Sequence, residues 1–232
     1  MIDLKKHKFY LVSVLKDIYS DTTLASHLGF KGGTALMLFY DLPRFSVDLD
    51  FNLLDKEHEN IVYEKIRKIV HKHGTIHDEA QKHYGPVVVL DYGFKERKLK
   101  IEISKRQYND RYEIKDFLGI KIKTMRVADM FAHKLCALTD RNLVISRDVF
   151  DLWFLMHNKY PLNVDIVEKR MGISFDKYME KTILAVENKP GTSLLEGLGE
   201  LMDEKMKPFV KNKLKDECIT LLKMYQAFPL TE

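Results

Sequence analysis

Phe45-Ser46-Val47-Asp48-Leu49-Asp50-Phe51 alternates without a break, with Phe45, Val47, Leu49 and Phe51 on one face and Ser46, Asp48 and Asp50 on the other. Side chains of a strand project to opposite faces in turn, so this period predicts a half-buried strand with both carboxylates on its open face. Two like charges so close repel each other unless a cation lies between them. A hard divalent ion suits the pair, because Mg²⁺ is commonly held by one or two carboxylates together with substrate phosphates. Paired acids are also common on solvated strand faces, so the flanking chain has to decide between the two.

Upstream, Phe30-Lys31-Gly32-Gly33-Thr34-Ala35-Leu36 puts a glycine pair ahead of good helix formers, which predicts a tight turn feeding a short helix that Pro43 stops. Glycines allow close backbone approach and helix-start amides attract anions, so Gly32, Gly33 and Thr34 could cradle phosphates. Leu4, Leu11, Leu15 and Ile18 predict an opening amphipathic helix that ends near Ser20-Asp21. Downstream, a second amphipathic helix carries Val62, Ile66, Ile69, Val70 and His73 on one side. Pro86–Tyr92 and Lys98–Ser104 then read as an antiparallel hairpin joined through Gly93–Arg97, and a strand near Gly119–Lys123 completes the β material.

In the second hairpin run Leu99, Ile101 and Ile103 face the core and Glu102 faces away from them. If that strand lies beside the strand of Asp48 and Asp50, Glu102 completes a three-carboxylate metal site. From Arg126 onward the pattern is helical, first over 126–141 and 145–158, then in shorter pieces broken by Pro161, Gly172, Pro190-Gly191 and Pro208, and last from Lys211 to Ala227. The fold class is α+β, with an α/β core over residues 1–125 and a C-terminal helical subdomain over 126–232.

Two charged residues interrupt the apolar patterns of the helical half. Lys134 falls on the stripe of Val127, Met130, Phe131 and Leu138, where its ammonium must snorkel out or face a cleft. Asp151 is embedded in Val149–Met156, which is apolar nearly all round, so its carboxylate is expected to be buried and in need of a partner. Either it forms a structural ion pair, with Arg147 at i−4 the nearest candidate, or it has a catalytic role in surroundings that would raise its pKa.

Composition narrows the classes. With 45% hydrophobic and 31% charged residues the chain is ordinary for a globular protein. Cys136 and Cys218 lie far apart with no ligand-spaced partner, which argues against a disulfide framework or a structural zinc. No signal peptide or membrane span is indicated, so the expected location is a reducing cytoplasm. The chain has neither a P-loop nor the kinase loop signatures. Its net charge of +4 is unevenly placed, since residues 95–126 carry eleven Lys and Arg against five Asp and Glu. That excess suits a polyanionic ligand.

Taken together, Lys31-Gly32-Gly33-Thr34-Ala35-Leu36 with Arg44-Phe45-Ser46-Val47-Asp48-Leu49-Asp50 resembles the first motif of the AbiEii/AbiGii-type nucleotidyltransferases, toxins of type IV toxin–antitoxin and phage-abortive-infection systems. Lys100-Ile101-Glu102 resembles their second motif, Lys134-Leu135-Cys136-Ala137-Leu138 with Arg141 their third, and Arg147-Asp148 with Asp151-Leu152 their fourth. The resemblance covers roughly residues 30 to 155, in the expected order. It implies a DNA polymerase β-like nucleotidyltransferase core, a mixed sheet flanked by helices. It also implies Asp48 and Asp50 as catalytic metal ligands, joined by Glu102 if its strand lies alongside theirs, with Lys134 and Asp151 required for activity. Gly32, Gly33, Thr34, Arg44, Ser46, Arg141 and Arg147 become the nucleotide-binding set. Thr34 stands where the wider superfamily has Ser, and it keeps the hydroxyl.

The expected activity is therefore transfer of a nucleotide from an NTP to an acceptor, foremost the 3′ end of tRNA. Mg²⁺ is the expected ion, with Mn²⁺ as an alternative, and a cognate antitoxin the expected protein partner. Transfer to an antibiotic-like small molecule or to a protein hydroxyl is a second reading, and a catalytically silent nucleotide- or RNA-binding module a third. The intact carboxylates argue against silence, and the basic segment favours a polyanionic acceptor over a cationic drug.

Overall fold

The computed structural model describes residues 3–93, 95–140, 143–191 and 194–231. It divides into two compact units, and the chain passes between them more than once. Residues 1–41, 45–107 and 112–125 form the first, and residues 42–44, 108–111 and 126–232 the second. The short excursions at 42–44 and 108–111 carry no composition signal that would mark them in the sequence.

The first unit opens with α1 (Leu4–Ser20), capped by the Asp3 carboxylate, which accepts from the amides of Lys5 and Lys6. Leu11, Val14, Leu15 and Ile18 are fully buried along its inner face, each worth roughly 1.5–3 kcal/mol of apolar burial. Asp21 ends α1 and caps α2 (Thr22–His27) by the same device. Then come β1 (Leu28–Lys31), α3 (Gly32–Phe39), β2 (Leu49–Leu53) and α4 (Glu59–His73). The sheet is completed by β3 (Thr75–Lys82), β4 (Gly85–Asp91), β5 (Leu99–Ser104), β6 (Tyr112–Phe117) and β7 (Ile120–Met125).

These strands form one mixed seven-stranded sheet in the order β3-β4-β5-β2-β1-β7-β6. β4 and β5 pair antiparallel, as the hairpin pattern predicts. β2 runs parallel to β5 and antiparallel to β1, which places it among the central strands.

One boundary differs from the alternation. The strand expected over 45–51 is hydrogen-bonded into the sheet only over Leu49–Leu53. The carbonyls of Val47 and Asp48 are taken by side chains instead, Val47 by His7 and Asp48 by Thr34. Side-chain donors thus replace the ladder just before the second aspartate.

The second unit is helical among its described residues: α5 (Val127–Ala137), α6 (Ser146–His157), α7 (Val164–Met171), α8 (Phe175–Glu187), α9 (Lys207–Asn212) and α10 (Leu214–Ala227). The helix expected over 126–141 ends at Ala137, and the last expected helix is two, α9 and α10. α6 is buried nearly all round, with Val149, Phe150, Leu152 and Leu155 fully inaccessible, and α10 packs against it. No described helix is long and apolar enough to cross a membrane.

Candidate active site

In the first unit the sheet register brings the predicted carboxylates together. Leu49 pairs with Ile101 and Asp50 with Glu102 in the parallel β2–β5 ladder, so Asp50 and Glu102 are direct cross-strand neighbours. Glu102 and Lys100 share a strand face, and the Lys100 ammonium lies 2.9 Å from the Glu102 carboxylate and 3.9 Å from that of Asp48. Solvent reaches this face, with side-chain exposures of 28% for Asp48 and 40% for Glu102.

Gly32 explains how Asp50 fits. Its φ of +82° is in the left-handed region, and a Cβ there would lie 2.6 Å from an Asp50 carboxylate oxygen. Any other residue at position 32 would collide with the carboxylate that β1 and β2 place there, Lys31 being the register partner of Asp50. Gly33 is buried in the first turn of α3, and the N-cap residue Lys31 makes no side-chain cap bond.

Thr34 has a different task from the one its hydroxyl suggests. It is fully buried, and its Oγ1 donates to the Asp48 carbonyl at 2.5 Å. His7 does the same one residue earlier: its Nε2–H donates to the Val47 carbonyl at 2.9 Å, and its Nδ1 lies 2.6 Å from the Tyr92 hydroxyl. Burial lowers the His7 pKa, which keeps the ring neutral and able to accept from Tyr92 through Nδ1. Ser46 is buried with its amide against Met37 Sδ. The backbone leading into Asp48 is therefore fixed from α1 and α3, before any ligand binds.

Electrostatically the acids are unbalanced. Loss of solvent and the charge of Asp48 push the Asp50 carboxyl above the usual carboxylate range. Burial acts the same way on Glu102, but the hydrogen bond and charge of Lys100 outweigh it and hold that carboxyl low. Burial would lower the Lys100 pKa, yet Asp48 and Glu102 raise it, so it remains an ammonium. An organic cation thus lies among acids that the sequence assigns to a metal ion.

The donor set suits a hard divalent cation, being carboxylate oxygens around an opening that already holds positive charge. The ligand atoms are spread wider than in a closed site. Among the described residues, the group whose ligand atoms all lie within 4.8 Å of one another is His27, Asp55 and His58.

In the second unit a contrasting cluster surrounds Asp151. Arg44 grips it with two bonds, Nε to one oxygen at 2.6 Å and Nη2 to the other at 2.7 Å, and the Lys134 ammonium lies 2.7 Å from the second oxygen. Lys134 also reaches Asp148 at 3.3 Å. The partner expected at i−4, Arg147, is half-buried on α6 and is not the one used. Nor is the Asp151 pKa raised: burial pushes it up, but Arg44 and Lys134 outweigh burial and hold it below the carboxylate range. The expected rise assumed an apolar site, and two cations from elsewhere in the sequence make it a polar one. Arg141 lies outside the described residues.

Sequence reasoning assigned no role to His7 or Tyr92, and named Lys100 only as part of the second motif. His7 left a signal, since it falls on the apolar stripe of α1 between Leu4 and Leu11.

Comparison with known proteins agrees with the fold. A Helicobacter pylori protein assigned as a nucleotidyltransferase superposes with a TM-score of 0.60 at 23% identity, over 96% of this chain and 94% of its own. JHP933 from Helicobacter pylori gives 0.59 at 23%, over 97% and 92%. MenT4, a nucleotidyltransferase toxin from Mycobacterium tuberculosis, gives 0.58 at 17%, over 92% and 82%. At these identities the likeness is one of fold. No curated protein sequence matches the chain. The sequence profile of the AbiEii nucleotidyl transferase toxins of type IV toxin–antitoxin systems, by contrast, matches residues 13–218. That span takes in Asp48, Asp50, Glu102, Lys134 and Asp151 alike, and by its extent the chain belongs to the AbiEii family.

Proposed function

We propose that this member of the family transfers a nucleotide from an NTP to a hydroxyl at the end of an RNA acceptor, tRNA being the foremost candidate. The observation that carries the reading is the pairing of Asp50 with Glu102 across β2 and β5, beside the backbone of Gly32. Asp48, Asp50 and Glu102 would hold the divalent ions, Mg²⁺ or Mn²⁺. Bound there, such ions supply charge neutralisation and a more acidic acceptor hydroxyl. A cognate antitoxin is the protein partner that family membership suggests.

In the reaction the acceptor oxygen bonds to the α-phosphorus and gives up its hydroxyl proton to solvent, while the bond from the α-phosphorus to the α–β bridging oxygen breaks and pyrophosphate leaves with its electron pair. Chain residues contribute positioning and charge, as is general for phosphoryl-type transfer. His7 and Thr34 hold the backbone at Val47 and Asp48. Lys100, beside the carboxylates of Asp48 and Glu102, would pair with substrate phosphates, and the amides of Gly32 and Gly33 at the start of α3 would face them. Lys134, the most exposed member of its cluster at 17%, is the residue there that the family resemblance makes necessary for activity, while Asp151 holds it and Arg44 in place.

The test is incubation of the purified chain with total RNA, Mg²⁺ and each labelled NTP in turn. Label entering an RNA band from one NTP, and none without divalent ion, is the expected result. Label appearing only in small molecules or protein would overturn the acceptor assignment.

A further inference from the structure

The first unit has a second feature that the nucleotide and metal residues do not use. A groove of about 550 Å³ opens where the β3–β4 turn meets the chain leaving β5, lined by Lys56, Glu59, His83, Tyr84, Lys105 and Arg106. Its floor is fixed: the Lys105 amide donates to the Tyr84 carbonyl at 2.8 Å. Gly85, at φ +124°, lies where a Cβ would come within 2.0 Å of the Ile103 carbonyl oxygen. Lys105 is paired with Glu59 at 2.9 Å, whereas Lys56 and Arg106 are exposed and form no ion pair among the described residues, leaving the lining positive.

Tyr84 is 59% exposed, and the Arg106 guanidinium lies over its ring at 5.0 Å from the centroid. A large aromatic ring left in solvent beside an unneutralised arginine is the arrangement on which an unpaired base stacks. Lys56 and Lys105 supply the complement for phosphates.

The groove continues the strand that carries Glu102. Arg106 is four residues beyond Glu102, so their Cα atoms lie within about 14 Å of each other. About two to four nucleotides of single strand cover that span, at 3.4 Å or more per nucleotide.

We propose that this groove holds the unpaired nucleotides preceding the reactive end of a nucleic-acid acceptor, with a base against Tyr84 and Arg106 and the backbone along Lys56 and Lys105. The proposal rests on the RNA-acceptor reading above and adds to it a binding surface and a requirement for single-stranded character.

The experiment is fluorescence anisotropy on the full chain with a 5′-labelled single-stranded oligoribonucleotide of about ten residues, alongside the same RNA as a blunt duplex. Tyr84→Ala is expected to weaken single-strand binding roughly 5- to 150-fold, the worth of one base–aromatic stack, and Tyr84→Phe to stay within about twofold of wild type. Arg106→Gln should weaken binding and lower the salt slope by about one. The KM for NTP should not move in either variant.

Wild-type binding by Tyr84→Ala and Arg106→Gln, in a protein that still transfers to RNA, would remove the groove and leave the acceptor reading standing. Equal affinity for the duplex would also overturn the proposal, as would a loss confined to NTP. A wild type that neither binds RNA nor transfers to it would remove both.

Discussion

The two charged clusters of this protein share a residue type and treat it in opposite ways. On β2 and β5, Asp50 sits beside Asp48 and Glu102, and its pKa is driven up. On α6, Asp151 is fully buried between Arg44 and Lys134, and its pKa is driven down. The first cluster is unbalanced, reached by solvent, and relieved by adding a cation. The second is balanced in charge, mostly buried, and damaged by removing any member. Unbalanced charge on a fixed backbone is what adding a cation relieves, whereas in a balanced buried cluster removing one member leaves uncompensated charge.

The largest effect expected from this contrast is on turnover. Asp48→Ala and Glu102→Gln should each lower nucleotide transfer by about two orders of magnitude or more while melting as wild type does. Mn²⁺ should restore Glu102→Gln in part. Full activity in either variant, measured with labelled NTP, would dissolve the distinction between the clusters.

Asp151→Ala should behave in the opposite way. It leaves two cations without their carboxylate and should cost about 3–5 kcal/mol, the penalty for breaking a buried pair. A fall in Tm of roughly 6–20 °C follows for a chain of this size. Lys134→Met tests the role given to Lys134. Transfer should fall through kcat, with a smaller drop in Tm than that of Asp151→Ala, because Arg44 still holds the aspartate. If only Tm falls, and kcat is normal at low temperature, the whole cluster is structural.

Lys100→Met sharpens the comparison from the side of the acids. Without the ammonium that competes for Asp48 and Glu102, Mn²⁺ should bind the free protein about tenfold more tightly by calorimetry, while the KM for NTP rises. Unchanged Mn²⁺ affinity would show that Lys100 does not occupy the ion's place.

The smallest effect concerns pH. The Asp151 pKa is lower in the folded state than its unfolded value of about 3.9. Its contribution is therefore complete above that value and is lost as pH falls through the folded pKa. Wild-type Tm should drop between pH 5 and pH 2 by more than that of Asp151→Asn, read by calorimetry. Equal drops would place the acid-sensitive pairing elsewhere.

What was legible in the sequence follows from the same physics. The β4–β5 hairpin and the helices α1 and α4 announce themselves through period, because each buries one face. The edge strands β3 and β6 were missed, since Thr75–Lys82 and Tyr112–Phe117 are half-exposed and carry charge on both faces. β1 is only four residues long and gave no period to read.

Of the site, the carboxylates were visible because acids on alternate positions of a strand share a face. Their neighbours from distant sequence were not: Arg44 against Asp151 joins residues more than a hundred positions apart, and His7 reaches Val47 from α1. Thr34 was visible as a hydroxyl, and only the fold shows that the hydroxyl is spent on the Asp48 carbonyl.

The most direct test of the account is Asp50→Asn, assayed for transfer and for melting in the same preparation. This change removes a proposed metal ligand and also a carboxylate whose folded-state pKa is raised, so its negative charge opposes folding at neutral pH. The account predicts that labelled-NTP incorporation into RNA is lost while Tm equals or exceeds that of wild type. Retained transfer, or lost transfer accompanied by a clear drop in Tm, would contradict it.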